Sequence, residues 1–211
     1  MSRITISIDG RELQANPGAN VLETALAHGI YIPHLCNDPE LKPQGCCRLC
    51  LVSVRGARGF PAACTAQVTD GMVVITAGAE LEQVRRDALE LLLAEHPMDC
   101  LCCMKNQRCD LQAAAAHIGG LERTLRRVWT SGRGIEHTPC FRLERDYCVL
   151  CQKCVRTCDE IAEKHLLAVV NRGAHSQIAT FENRELMAAA CASCQECVKR
   201  CPTAALQPLP R

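Results

Sequence analysis

Two cysteine runs of identical spacing in the last third of the chain constrain its fold more than any other feature. They read Cys148-x2-Cys151-x2-Cys154-x3-Cys158 and Cys191-x2-Cys194-x2-Cys197-x3-Cys201. Within each run, short turns let three thiolates converge on one soft metal centre, while a fourth ligand has to arrive from a distant segment. The two runs are therefore expected to fold together around metal.

This spacing is typical of bacterial two-cluster ferredoxins, in which each [4Fe–4S] cluster takes its fourth cysteine from the other run. It predicts one cluster on Cys148, Cys151, Cys154 and Cys201, and a second on Cys191, Cys194, Cys197 and Cys158. Zinc sites instead usually separate two Cys-x2-Cys pairs by a spacer. The spacing therefore favours two [4Fe–4S] clusters over zinc or structural thiols.

The composition also favours small cores stabilised by metal. Among 211 residues there are 18 cysteines but only three phenylalanines, two tyrosines and one tryptophan, and aromatic side chains usually dominate core energetics. The N-terminal stretch has no apolar leader, and no stretch reaches the ~18–20 apolar residues of a membrane span. We therefore expect a cytoplasmic protein whose cysteines bind metal rather than form disulfides. Scattered basic residues and a formal charge of +1 give no indication of nucleic-acid binding.

The first 78 residues have the pattern of a small domain with one sheet and one helix. Isoleucines alternate with polar residues over 4–8, and Asp9-Gly10 predicts a tight turn into a second strand. Further strands are expected at 51–54 and 72–75. Together with the helix described next, this order predicts a β-grasp sheet wrapped over one helix.

The helix of this domain is recognised by its two ends. Asn20 is a candidate N-cap with Glu23 at the third helical position, and Gly29 is a candidate C-terminal stop. The predicted apolar face consists of Leu22, Ala25 and Leu26.

Five cysteines lie within the same domain: Cys36, Cys46, Cys47, Cys50 and Cys64. Plant-type ferredoxins bind a [2Fe–2S] cluster through C-x4-C-x2-C…C, and the first gap is longer here. A longer loop still permits the cluster, because each doubling of its length adds only ~0.6 kcal/mol of closure entropy. The spacing favours [2Fe–2S] over zinc or unligated thiols, and it leaves Cys46 and Cys47 as competing second ligands.

A helix over 80–95 leads into a third set of candidate ligands. Its predicted apolar stripe is Leu81, Val84, Ala88, Leu91 and Leu92, with Arg85 outside the stripe. Pro97 ends the helix. The residues at this exit supply one imidazole and three thiols: His96, Cys100, Cys103 and Cys109. Such a set can hold a [4Fe–4S] cluster or zinc, and its spacing does not decide between them.

Residues 119–140 are predicted to be a connector. It contains four arginines, Arg123, Arg126, Arg127 and Arg133, which form either a solvated face or a surface that docks a partner subunit. Between the two cysteine runs, residues 167–170 and 177–181 are predicted to pair as a hairpin around Asn171-Arg172-Gly173. Such an insertion is longer than two clusters require, so it is expected to form a lid or a contact surface.

The three ligand sets, in this order, resemble a known family. The motifs that carry the resemblance are Tyr31-Ile32-Pro33-His34-Leu35-Cys36, Cys47-Arg48-Leu49-Cys50-Leu51-Val52, Asp70-Gly71-Met72 and His96-Pro97-Met98-Asp99-Cys100. They resemble the N-terminal iron–sulfur region of the large electron-entry subunit of complex I, and the diaphorase small subunit of NAD-reducing [NiFe] hydrogenases. The same region is similar to the start of NAD-dependent formate dehydrogenases and some [FeFe] hydrogenases.

The resemblance implies assignments that the spacing leaves open. It implies a [2Fe–2S] cluster on Cys36, Cys47, Cys50 and Cys64, and a [4Fe–4S] cluster on His96, Cys100, Cys103 and Cys109. With the two ferredoxin-type sites, this makes one [2Fe–2S] and three [4Fe–4S] clusters. Cys46, Cys102 and Cys140 then have no assigned role.

The expected fold class is α+β with cluster domains in series. These are a β-grasp [2Fe–2S] ferredoxin-like domain at 1–78, a small helical His-ligated [4Fe–4S] domain at 79–118, the connector at 119–140, and a two-cluster ferredoxin-like domain at 141–211.

The function implied by the resemblance is electron relay without a catalytic site in this chain. The expected partners are a flavin- and NAD-binding diaphorase large subunit and the subunits of a [NiFe] hydrogenase, because the chain stops at Arg211 directly after the ferredoxin-like region. The alternative is a relay subunit of a NAD-dependent formate dehydrogenase or a complex-I-like NADH dehydrogenase. A third hypothesis is an interaction scaffold stabilised by zinc.

Overall fold

The computed structural model of the chain describes residues 3–120, 134–180, 184–192 and 194–209. The four arginines of the predicted connector (Arg123, Arg126, Arg127 and Arg133) and Phe181 of the predicted hairpin lie outside these ranges. The helices are α1 (Val21–Ala27), α2 (Ala79–Ala94), α3 (Asp110–Ile118), α4 (Lys153–Arg156), α5 (Arg184–Cys191) and α6 (Glu196–Lys199). The strands are β1 (Ile4–Ile8), β2 (Arg11–Ala15), β3 (Ser53–Val54), β4 (Val73–Ile75), β5 (Ile135–His137), β6 (Phe141–Glu144), β7 (Leu167–Val170), β8 (Gln177–Thr180) and β9 (Leu206–Pro208).

The chain forms two compact units. Unit 1 consists of Met1–Pro39, Pro43–Leu89 and Ala114–Gly120, and unit 2 of Glu40–Lys42, Glu90–Ala113 and Leu121–Arg211. Helices α2 and α3 each contribute residues to both units. The finer division at 1–78, 79–118, 119–140 and 141–211 stays a prediction.

Unit 1 is built on a four-stranded mixed sheet in the order β2-β1-β4-β3. Strands β1 and β2 form the predicted antiparallel hairpin, and β1 pairs with β4 in parallel. The turn between β1 and β2 has positive φ at both Asp9 (51°) and Gly10 (80°), as a two-residue type I′ hairpin turn requires. Ile6 and Ile8 alternate onto the buried face of the sheet, where they join the core of unit 1.

Helix α1 begins at the predicted N-cap. The Asn20 side chain accepts the Glu23 N–H at 2.8 Å, and the Glu23 carboxylate accepts the Asn20 N–H at 3.4 Å, which completes a capping box. Leu22 and Ala25 are buried as predicted, whereas Leu26 is 37% exposed and was wrongly included in the buried face. Gly29 follows the helix with φ of 75°, the left-handed conformation of a C-terminal stop.

Helix α2 begins and ends one residue earlier than predicted. Its buried face is rotated around the helix axis relative to the predicted apolar stripe. Its buried positions are Leu81, Arg85, Leu89, Leu93 and Ala94, the first four at a spacing of four residues. Leu91, predicted in the apolar stripe, is 65% exposed, and Arg85, predicted outside it, is only 4% exposed. The prediction failed because it classified Arg85 as a surface charge, although backbone carbonyls satisfy its guanidinium inside unit 1.

Unit 2 contains two antiparallel sheets, one of β5-β6-β9 and one formed by the β7-β8 hairpin. The second sheet agrees with the hairpin predicted between the cysteine runs. The core of unit 2 combines apolar side chains with thiols: Phe141, Leu143, Ile178, Met187, Leu206, Cys154, Cys158 and Cys201. None of the helices in the described part of the chain has the length and apolar character that crossing a membrane requires.

Candidate metal centres

The first site lies in unit 1, where two loops bring four buried thiols together. Cys36, Cys50 and Cys64 are each 1% exposed. The backbone closes this site locally, because the Ala63 N–H donates to the Cys50 carbonyl at 2.8 Å and Leu51 bridges to Ala62. That bridge replaces the first half of the strand predicted at 51–54, so that only β3 joins the sheet.

Cys46 and Cys47 differ in burial. Cys47 is buried, at 7% exposure, whereas Cys46 is exposed. Both thiols nevertheless hydrogen-bond to Cys36: hydrogen bonds from Cys46, Cys47 and Cys64 lower the pKa of Cys36 well below its ordinary value. Burial supports the choice of Cys47 as the ligand, which stays a prediction, and it places Cys46 at the rim of the same site.

Hydrogen bonds among the thiols of this first site shift their pKa values in opposite directions. The hydrogen bond with Cys36 raises the pKa of Cys47, and hydrogen bonds with Cys36 and Cys50 raise the pKa of Cys64. A hydrogen bond from Cys64 lowers the pKa of Cys50. The four thiols therefore lie within hydrogen-bonding reach of one another, as convergence on one metal centre requires.

The second site combines the first cysteine run with a residue of the second run. Burial, followed by the charges of Cys201 and Cys148, raises the pKa of Cys151 to about 12. Burial also raises the pKa of Cys154, followed by the charges of Cys151, Cys148 and Cys201. Cys148, Cys151, Cys154 and Cys201 therefore lie close enough to affect one another's pKa, which is consistent with the predicted set.

The third site combines the second cysteine run with Cys158, the last cysteine of the first run. Cys158, Cys191, Cys194 and Cys197 line one cavity. Burial, followed by the charge of Cys158, raises the pKa of Cys197 to about 12. The Leu166 N–H donates to the Cys158 sulfur at 3.2 Å, a contact that the sequence did not indicate.

Cys140 lines this same cavity, although its spacing fitted no ligand set. It is buried, and its thiol donates to the Met187 carbonyl at 3.7 Å. The thiol hydrogen is therefore directed at a backbone oxygen of α5. Cys140 is a fifth thiol beside the third site rather than a remote spare cysteine.

Three of the five Cys-x2-Cys turns in these sites share an unusual backbone conformation. In these three, the residue after the leading cysteine has positive φ: Arg48 after Cys47 (56°), Gln152 after Cys151 (58°) and Gln195 after Cys194 (50°). Residues other than glycine seldom adopt this region, which costs of order 1–3 kcal/mol and is found mainly at functional sites. Because positive φ recurs at the same position of these three turns, we attribute this backbone conformation to the convergence of the thiols on one centre.

The fourth site lies at the exit of α2. His96, Cys100, Cys103 and Cys109 line one cavity, while Cys102 is exposed and does not line it. His96 is buried, and its backbone N–H donates to the Leu93 carbonyl at 3.1 Å, which fixes the turn that ends the helix. Burial raises the pKa of Cys109.

Tyr147 forms part of the wall of this fourth site. Its ring meets the His96 ring edge-on with centroids 5.8 Å apart, and its hydroxyl donates to the Asp99 carboxylate at 2.7 Å. Burial and this hydrogen bond raise the pKa of Tyr147. Since Tyr147 directly precedes Cys148, one residue connects the His96 site with the second site. The sequence offered no signal for this, because the contact joins distant segments.

The donor sets suit iron–sulfur clusters chemically. Three sets are all-thiol and one combines three thiols with an imidazole, and both kinds ligate iron–sulfur clusters. Within the part of the chain that the structure describes, no group of three or more histidine, cysteine or carboxylate side chains is arranged for a single metal ion.

Replacing His96 by cysteine is expected to retain the centre and lower its reduction potential. A thiolate adds negative charge where the imidazole is neutral, and added negative charge disfavours reduction. A redox titration followed by electron paramagnetic resonance measures the shift. Cys102→Ser, in the same loop but outside the cavity, is the matched control and should leave the potential unchanged. An unaltered potential in the His96 variant would contradict its ligand role.

The family comparisons divide the chain into three matched regions. Residues 1–78 match a 2Fe-2S iron-sulfur cluster binding domain. Residues 85–123 match the iron-sulfur binding region of NADH-ubiquinone oxidoreductase-G. Residues 138–207 match the ferredoxin-like domain of NADH-quinone oxidoreductase subunit 3. A 2Fe-2S domain and 4Fe-4S binding regions are therefore present.

Curated relatives match nearly the whole chain but extend far beyond it. A G-type subunit of NADH-quinone oxidoreductase from Rhizobium meliloti is 36% identical over 98% of this chain and 24% of its own length. NADPH-Fe(3+) oxidoreductase subunit alpha of Geobacter sulfurreducens is 33% identical over 96% of this chain and 24% of its own length. NADP-reducing hydrogenase subunit HndD of Solidesulfovibrio fructosivorans is 35% identical over 98% of this chain and 36% of its own length. The chain thus spans between about a quarter and a third of these relatives.

One solved structure matches at nearly full length on both sides. A chain in the crystal structure of a NAD+-reducing [NiFe]-hydrogenase in the H2-reduced state has a TM-score of 0.86 and 34% identity. The match covers 97% of this chain and 87% of that chain. The resemblance inferred from the cysteine motifs is therefore confirmed, both to the complex I protein and to the hydrogenase.

Proposed function

The chain belongs to the family of iron–sulfur subunits shared by NAD+-reducing [NiFe]-hydrogenase and NADH-quinone oxidoreductase, and from this premise we propose that it is an electron-relay subunit. It would carry electrons between a flavin- and NAD(H)-binding diaphorase subunit and a [NiFe] hydrogenase module. It would have no catalytic site of its own, and its sequence contains no Gly-x-Gly-x-x-Gly nucleotide-binding fingerprint. The match with the hydrogenase chain, which spans most of both chains, favours this assembly.

We further propose one [2Fe–2S] and three [4Fe–4S] clusters, each in its own ligand set. The [2Fe–2S] ligands are Cys36, Cys47, Cys50 and Cys64. The [4Fe–4S] ligands are His96, Cys100, Cys103 and Cys109 in one set, Cys148, Cys151, Cys154 and Cys201 in another, and Cys191, Cys194, Cys197 and Cys158 in the third. Bound there, such clusters supply one-electron chemistry.

The observation that carries the proposal is the grouping of the thiols. Two observations support the proposed crossed sets: Cys158 lines one cavity with Cys191, Cys194 and Cys197, and the charge of Cys201 raises the pKa of Cys151. The chain's own part is to exclude water from these sulfurs and to place hydrogen bonds on them. Burial of Cys154 and the Leu166 N–H directed at Cys158 are examples. Both kinds of contact set the potential at which an electron is accepted.

A second assembly is supported by the NADH-quinone oxidoreductase relative. The same relay region forms about a quarter of that larger protein, so a complex-I-like NADH dehydrogenase, or a NAD-dependent formate dehydrogenase, is the alternative setting. Copurified metal separates the assemblies, because nickel would indicate the hydrogenase and molybdenum the formate dehydrogenase.

Metal analysis of the anaerobically purified protein tests the relay proposal directly. One [2Fe–2S] and three [4Fe–4S] clusters predict roughly 14 iron atoms per chain and no zinc. A content of about 10 iron atoms per chain would mean that one of the three proposed [4Fe–4S] clusters is absent. The His96 set would be examined first. Stoichiometric zinc with little iron would overturn the relay and favour the zinc-stabilised scaffold.

A further inference from the structure

Arg85 is a buried cation next to the first site. Helix α2 carries it into the interior of unit 1, where it is 4% exposed. Its neighbour Arg86 is exposed on the same helix and donates to the Gln83 side chain at 3.2 Å. Two adjacent arginines therefore differ in one respect that matters electrostatically, which is access to water.

Backbone carbonyls hold the Arg85 guanidinium in place. Its Nε and Nη2 both donate to the Leu51 carbonyl, the former at 3.1 Å, and Nη1 donates to the Thr76 carbonyl at 2.8 Å. Leu51 directly follows the candidate ligand Cys50. The planar fork thus fixes both the position of the cation and the backbone that leaves the site.

The charge of Arg85 lacks an ordinary counterion. Among the residues that the structure describes, no carboxylate forms an ion pair with it. Asp9, one of the nearby acids, is engaged with the N–H and hydroxyl of Thr76 at 2.7 and 2.6 Å. A buried charge is costly unless an opposite charge compensates it.

Cys50 is placed to supply that opposite charge, because the Leu51 carbonyl that holds Arg85 belongs to the next residue. Burial lowers the pKa of Arg85, and the negative charges that counteract this are those of Cys50 first, then Glu82 and Asp9. A guanidinium stays protonated at neutral pH in any case. The interior of unit 1 therefore holds one fixed positive charge beside a candidate ligand of the first site.

We propose that Arg85 is a positioning residue for the [2Fe–2S] site, whose buried charge raises the reduction potential of the cluster held there; this inference rests on the proposed cluster. Each electron that arrives adds negative charge. A cation held at low dielectric stabilises the reduced state more than the oxidised state.

Three variants separate charge from mere structural support. Arg85→Gln removes the charge and keeps a hydrogen-bond donor for one carbonyl. Arg85→Lys keeps the charge but loses the fork. Arg86→Gln is the matched control, since it removes the same charge from the solvent side of the same helix turn.

The experiment is an anaerobic redox titration of the whole protein. The electron paramagnetic resonance signal of the [2Fe–2S] cluster is followed, and iron content is measured in parallel. Arg85→Gln is expected to shift the reduction equilibrium at least tenfold towards the oxidised form, equal to ~59 mV for a one-electron couple. Arg85→Lys should recover most of this shift. Arg86→Gln should leave the potential unchanged, as should the signals of the [4Fe–4S] centres in every variant.

Three outcomes distinguish failure of this inference from failure of the proposed function. An unchanged potential in a fully loaded Arg85→Gln protein overturns the role of Arg85 while the cluster proposal stands. Loss of the [2Fe–2S] signal in all Arg85 variants, including lysine, makes Arg85 a structural support and overturns the inference too. Absence of the signal from wild-type protein overturns the proposed cluster itself.

Discussion

Cys158→Ala is expected to remove about four of the roughly 14 iron atoms predicted for the chain. The loss should come from the third site, although Cys158 belongs to the first run, because its sulfur lines the cavity with Cys191, Cys194 and Cys197. Removing a buried ligand also leaves a void in the core of unit 2, where Cys158 is 6% exposed. Iron analysis with quantified resonance signals measures the effect.

Double variants test the crossing itself. Cys158→Ala combined with Cys197→Ala should lose no more iron than either change alone, because both residues face one site. Combined with Cys154→Ala, the loss should double to about eight iron atoms, because Cys154 faces the other site. The reverse pattern would show that each run binds its own cluster.

Cys140→Ala is the matched control for this series. Cys140 is buried in the same core and lines the same cavity as Cys158. It donates its thiol hydrogen to a carbonyl, which a ligating thiolate does not do. Full iron content in Cys140→Ala, beside the loss in Cys158→Ala, would separate ligation from packing. Loss of iron from the control would place Cys140 among the ligands.

Removal of all iron is expected to unfold unit 2 more completely than unit 1. Binding at a structural metal site contributes about 10–16 kcal/mol for zinc, which matches or exceeds the ~5–15 kcal/mol net stability of a typical domain. The core of unit 2 depends on such sites, since Cys154, Cys158 and Cys201 lie among its few large apolar residues. The core of unit 1 also includes Cys50 and Cys64, but most of it is apolar and surrounds Ile6, Leu22 and Val74.

Hydrogen exchange, read by mass spectrometry before and after anaerobic chelation, locates this effect. Residues 148–158 and 191–201 should lose most of their protection, while the β1–β2 hairpin keeps much of its own because its ladder needs no metal. A uniform loss across both units would contradict the expectation, and so would unchanged protection around the cysteine runs.

Local chemistry made much of this molecule predictable. The capping box of Asn20 and Glu23 and the Asp9-Gly10 turn depend on residues close in sequence, and both were confirmed. The cysteine spacings likewise bring together thiols that the structure places side by side. What they ligate stays a proposal, because spacing describes donors and not the metal.

The errors came from contacts between distant segments. Arg85 was placed on the surface because helical periodicity cannot know that the Leu51 and Thr76 carbonyls converge on it. The strand expected at 51–54 is shortened because Leu51 pairs with Ala62 near Cys64 instead. Tyr147 and Cys140 were missed for the same reason, since their roles exist only after folding brings remote residues to them.

The crossed cysteine sets have a consequence for how the protein is made. In the proposed assignment, the site of Cys148, Cys151 and Cys154 needs Cys201, so it cannot be completed before residue 201 has been synthesised. The site that uses Cys158 likewise needs the run that begins at Cys191. Under this assignment, iron delivery to the pair follows translation of the second run. A ribosome paused between the runs would carry nascent thiols that no folded site yet protects.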